Sequence, residues 1–228
     1  MTPIPTSPQP ATTLDELFSS PATILSNLDL DITGTAVTDA QLQRLAGCPG
    51  GGVVTVTDDA GAVYLESRHR DLIINTWRNA NYVEIRRQGE DYYLYLDYIW
   101  FSDNCPKGFG AVVLLNMAYT AAELGFSHIE LLAAGGTGIK GAAWTEEFWG
   151  YETWPRLGFD TELQPQMLAL TAQEPELKDF THVSEIVQAN LDWWKEHGDG
   201  WTMTFDLKQG SASWDTLYMF CKGRGLLK

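Results

Sequence analysis

One stretch constrains the fold more than any other: the run Tyr92–Phe101 (YYLYLDYIWF) followed by Cys105-Pro106-Lys107-Gly108-Phe109-Gly110. A run so continuously aromatic suits a central strand buried on both faces. Apolar residues then recur at 109, 112, 113, 117, 121 and 124, which is a helical period. Gly125 is a natural C-terminal cap, and residues 127–134 (SHIELLAA) read as the next strand. Strand, glycine loop, helix and strand form a βαβ unit, which brings two parallel strands into one sheet.

The neighbouring segments supply the rest of that sheet. Residues 53–57 (VVTVT), the DDAG turn and 62–67 (AVYLES) predict a hairpin, and 82–87 (YVEIRR), QGED and 92–101 predict a second. Thr38 or Asp39 caps a short helix ended by Gly47. Downstream, the pattern predicts one long helix over 176–197, a strand over 201–207 and a helix over 211–225. GGTGIKGAA at 135–143 reads as a flexible loop. Three regions result: a disordered Pro/Thr/Ser-rich tail at 1–13, an α/β core at 14–160, and an extension packed on it at 161–228.

Charge and cysteine usage remove several functions. Asp and Glu total 30 against 15 Lys and Arg, a net charge of −15. Nucleic acid and anionic membrane both demand clustered cations, so neither is an expected partner. No apolar run reaches the length of a membrane span. Cys48, Cys105 and Cys221 lie far apart and give no metal spacing. Histidines 69, 128, 182 and 197 give none either, so no metal is expected. Reduced thiols and the lack of a basic N-terminal leader point to the cytoplasm, with non-classical secretion as an effector left open.

The glycine loop is where chemistry can sit. Two glycines let a ligand approach the backbone, and the helix N-terminus that follows presents free N–H groups and a positive dipole end. Lys107 is the only basic residue between 88 and 139. Lys107, Gly108, Phe109 and Gly110 are therefore candidates to hold a pyrophosphate. A plain strand-to-helix turn with a solvated lysine explains the same residues.

The order of aromatic strand, PKGFG loop, helix AVVLLNMAYTAAELGF, strand HIELLAA and a helix closing on WPRLGF resembles the GNAT acyltransferase superfamily over about residues 92–160. The resemblance implies a GNAT-like mixed sheet flanked by helices. It also implies acetyl-CoA or another acyl-CoA as donor, held on the loop amides. Cys105 stands where the family usually has Gln or Arg, and Trp154 where a tyrosine often serves as general acid. Tyr151, one helical turn earlier, is the candidate replacement.

Amine attack on a thioester needs a base on the strand before the loop or on its neighbour. Asp97 is the first candidate, since desolvation in an aromatic strand raises a carboxyl pKa, and Glu84 is the second. An Asp97 turned to solvent, or paired with an arginine such as Arg86, is the competing possibility. The dense aromatics Trp144, Phe148, Trp149, Tyr151 and Trp154 pack a core or line an acceptor groove.

The expected function is acyl-CoA-dependent N-acyl transfer to an amine on a small molecule or protein, drawn in as a cation by the acidic surface. The alternative is a catalytically inactive GNAT-fold protein that binds a partner protein through residues 161–228, as an effector or accessory module.

Overall fold

The computed structural model describes residues 9–32, 34–74, 78–139 and 148–228. Seven strands form one mixed sheet in the order β1-β4-β5-β6-β7-β8-β9. They are β1 (Thr23–Ser26), β4 (Val53–Asp59), β5 (Ala62–Arg68), β6 (Asn81–Gln88), β7 (Asp91–Tyr98), β8 (His128–Leu132) and β9 (Thr202–Asp206). Among the described residues, β2 (Asp31–Ile32) and β3 (Thr35–Ala36) form a separate pair. The pairs β1–β4 and β7–β8 are parallel and the others antiparallel. The fold is thus α/β, a mixed sheet flanked by helices, consistent with a GNAT-like arrangement.

Local chemistry explains the two hairpins. Asp59 pairs with Ala62 across a two-residue loop in which Ala60 and Gly61 both have positive φ, 49° and 88°. That is the turn whose twist matches the flanking strands. The second loop, between Gln88 and Asp91, turns on Gly89 at φ 63°.

Helix α1 (Asp39–Leu45) starts at Thr38, whose side chain and that of Gln41 form a reciprocal capping box. Helix α2 (Phe109–Glu123) is the βα crossover between β7 and β8 and is buried along most of its length. It ends in a Schellman motif, with Phe126 N–H on the Ala121 carbonyl and Gly125 N–H on that of Ala122. Leu94, Leu96, Ile129 and Leu131 on the covered sheet face join it in the core.

The two-faced burial expected of β7 is not found. Its residues alternate: Leu94 and Leu96 are buried, while Tyr93 and Tyr95 are half-buried and Asp97 is exposed. The tyrosines cover the other sheet face with their own rings, so aromatic density here signals an open face. Tyr93 stacks on His128 at 4.7 Å, and the Arg86 guanidinium lies 3.6 Å from the Tyr95 ring centre.

After β8 the chain forms α3 (Gly136–Ile139); residues 140–147, with Lys140 and Trp144, lie outside the described residues. Then come α4 (Gly150–Thr153), a 3₁₀ turn at Pro155–Leu157 and α5 (Pro165–Thr171). Pro155 stops the α-helix, and Gly158 leaves the turn at φ 98°.

The single helix expected over 176–197 is instead two, α6 (Val183–Ala189) and α7 (Leu191–His197). Caps decide this. His182 and Glu185 form a capping box at α6, and the Asn190 side chain accepts from Trp193 N–H at 3.0 Å to start α7. β9 then pairs with β8, and α8 (Ala212–Gly223) packs beside α2. Residues 1–8 lie outside the described residues. The Thr13 N–H donates to the Leu226 carbonyl and the Lys228 N–H to that of Ala11, at 2.9 Å each, so residues 11–13 pair with the C-terminal segment.

Candidate functional site

The site begins where two parallel strands part. β7 and β8 are paired at Leu94–Ile129, Tyr95–Glu130 and Leu96–Leu131. Beyond that point β7 stays with β6, through Tyr98 and Tyr82, and β8 stays with β9, through Leu132 and Thr202. A cavity opens on each side of the resulting gap. Leu96, Ile99, Thr153 and Trp154 line both, so the two meet there.

The helix-face cavity, about 360 Å³, lies against the first turns of α2 and is mostly apolar. Gly108, Gly110 and Ala111 form one end of it. The first-turn N–H groups of Gly110 and Ala111 have no acceptor among the described residues. A helix start leaves such donors for a ligand or water. Phe109 does not reach the cavity. It is buried between Phe18 (5.5 Å, stacked) and Phe101 (5.0 Å, edge-on).

Gly108 has a structural reason to be glycine. Its φ is +85°, and a Cβ there would sit 2.5 Å from the Leu226 side chain. The C-terminal segment therefore packs directly on the glycine loop. Gly110 is different, since its Cβ would meet only Phe101, at 3.7 Å. Lys107 is exposed, makes no ion pair among the described residues and does not line the cavity. The Cys105 thiol donates to the Leu72 carbonyl at 3.3 Å, and burial pushes its pKa up.

Sequence reasoning missed three residues at this cavity: Arg156, Phe220 and Arg224. They come from the 3₁₀ turn, from α8 and from the residue that caps its C-terminus. No sequence signal singled them out, since the acid-free stretch after Asp215 is shorter than those at 40–57 and 104–122.

The sheet-face cleft, about 230 Å³, is lined by Asp97, Trp100, Phe148, Trp149 and Trp154 among others. Trp149 is 55% exposed. The desolvation expected for Asp97 is not found. Its side chain is 40% exposed and pairs with Arg78, not Arg86, at 3.1 Å. Strand alternation sends it to the open face, away from the Leu96 side. It is still the one of the three candidate catalytic residues that reaches a cavity at the gap.

Glu84 and Tyr151 are elsewhere. Glu84 is held on β6 by Arg86 at 2.7 Å and lines neither cavity. Tyr151 is buried, and its one hydroxyl proton is shared between the Lys195 carbonyl at 2.9 Å and the Glu152 carboxylate at 3.1 Å. Burial, then the Glu152 carboxylate, push its pKa up to about 12. It is directed into α7, whereas Trp154 faces the gap and packs edge-on against Phe159 at 5.3 Å.

Among the described residues no cluster of three His, Cys, Asp or Glu side chains could hold a metal. No helix among them is long and apolar enough to cross a membrane. No family model matches the chain, and no curated protein or solved structure matches it either.

Proposed function

We propose that the chain is an acyl-CoA-dependent N-acyltransferase of the GNAT kind, acting on a cationic amine. One observation carries this reading: the parted strands put an apolar cavity with free helix N–H donors back to back with an aromatic, carboxylate-bearing cleft. The helix-face cavity takes acetyl-CoA or another acyl-CoA, with the thioester carried to the gap at Leu96 and Trp154. The sheet-face cleft takes the amine.

Indole faces and a carboxylate both favour an ammonium group, through cation–π attraction and charge. The bound ammonium first loses one proton to solvent to give the free amine, and Asp97 then accepts the second proton, directly or through one water, as the nitrogen attacks the thioester carbonyl. The acyl carbon–sulfur bond then breaks and CoA leaves as thiolate. Trp154 shapes the gap, and its indole N–H is too weak an acid to protonate the leaving sulfur. That proton comes from solvent, or the thiolate leaves unprotonated.

The test is calorimetric titration with acetyl-CoA and CoA, on the parent and on Gly110→Trp. Gly110 suits this better than Gly108, because it has room for a side chain and lines the cavity. Micromolar binding lost in the variant supports the reading. No heat and no thermal shift at millimolar ligand contradict it.

A second reading is an inactive GNAT-fold module that binds a protein. The packing of Leu226 on Gly108 favours it, since that contact explains the glycine without a ligand. It predicts no CoA binding at all.

A further inference from the structure

The mouth of the helix-face cavity carries two arginines that no acid among the described residues neutralises. Arg156 and Arg224 both line it, and their guanidinium carbons lie 5.9 and 4.8 Å from the ring centre of Phe220. Five other arginines pair with acids: Arg68, Arg70, Arg78, Arg86 and Arg87. Arg156 and Arg224 make no ion pair among the described residues. Arg44, Lys107, Lys178, Lys208 and Lys222 also make no ion pair among the described residues, but none of them lines this cavity, where Arg156 and Arg224 stand together.

Two like charges turned to one ring repel each other, and an apolar wall behind them reduces the screening. An anion lodged between them removes that cost. Guanidinium also matches phosphate oxygens in bidentate fashion, where a lysine acts as a point charge. Behind the arginines the wall is formed by Ile99, Val113, Leu114 and Met117. The ligand that satisfies both parts has a polyanionic head and an apolar body.

We infer that Arg156 and Arg224, set about Phe220, form a phosphate clamp for the head of the acyl donor. The inference rests on the acyl-CoA reading above and adds to it. The clamp sits partly on α8, outside the region that resembles GNAT sequences, so the resemblance does not supply it. It places the donor's charge recognition on the C-terminal helix, away from Lys107 on the glycine loop.

The test titrates the full chain with CoA and with pantetheine, which lacks the phosphates. Arg156→Ala and Arg224→Ala each weaken CoA about tenfold, the scale of one lost charge-assisted contact. They leave pantetheine affinity unchanged and flatten the salt dependence of CoA binding. Arg224→Lys recovers part of the loss. Lys222→Ala, which removes a neighbouring charge from the same helix, stays within about twofold of the parent. Thermal unfolding of each variant confirms that it is folded. CoA binding equal to the parent in both alanine variants overturns the clamp and leaves the acyl-CoA reading standing. Equal weakening of CoA and pantetheine also overturns the clamp, because the arginines then shape the cavity only. No CoA binding by the parent overturns both.

Discussion

The two cavities that meet at Trp154 share strands yet have opposite chemistry. The helix-face cavity has apolar walls and two arginines at its mouth. The sheet-face cleft has indoles and the Asp97 carboxylate. The difference comes from the pleat, because neighbouring residues of a strand point to opposite faces. Leu96 and Asp97 are adjacent in sequence, but Asp97 lines the cleft alone while Leu96 lies at the meeting point. Where β7 and β8 part, that alternation gives one strand two chemically different sides. An anionic, apolar-bodied donor suits one side, and a cationic acceptor suits the other.

Several substitutions break or sharpen this contrast. The largest expected effect is Gly110→Trp, which fills the helix-face cavity and abolishes CoA binding in calorimetry while the thermal midpoint stays near the parent's. Next, Asp97→Asn acts only on the other side. It lowers kcat for acyl transfer by about 100-fold and leaves the CoA Kd unchanged. A variant that turns over normally removes Asp97 from the chemistry.

Leu226→Ala separates structure from binding at the glycine loop. The side chain is 5% exposed and packed on Gly108, so urea unfolding should show a loss of about 2 kcal/mol, the low end for a buried leucine beside the surface. Tyr151→Phe has the smallest effect, about 1 kcal/mol for the lost hydroxyl bonds. Its pH dependence is diagnostic. The phenol titrates at about 12 in the fold, above its ordinary value of 10.0, so it stabilises the fold below about pH 10 and that contribution is lost as pH rises toward 12. The phenylalanine variant lacks this decline, and its acyl-transfer pH profile matches the parent's.

Much of the sheet and of α2 was legible in the sequence. Both hairpins have strong turn residues, and α2 has a helical period closed by Gly125. β7 was misread because tyrosines on an open sheet face look like core in a sequence. The region 176–197 was misread because a helical period runs through it while the local caps at His182 and Asn190 divide it.

The site was half legible. Of the sequence candidates, Gly110 and Asp97 line cavities at the gap, because loop and strand are contiguous. Arg156, Phe220 and Arg224 were not among the candidates, because segments more than sixty residues apart build that wall. Tyr151 was chosen by its spacing from Trp154. Pro155 ends the helix just after Trp154, and the buried hydroxyl is taken by α7.

Amide hydrogen exchange with and without CoA tests the central claim most directly, since it reports which side of the gap the donor occupies. The account predicts slowed exchange at residues 110–114, 153–157 and 220–224, with the β6–β7 sheet face unchanged. No change anywhere, or protection centred on the sheet face around Asp97 and Trp149, would contradict it.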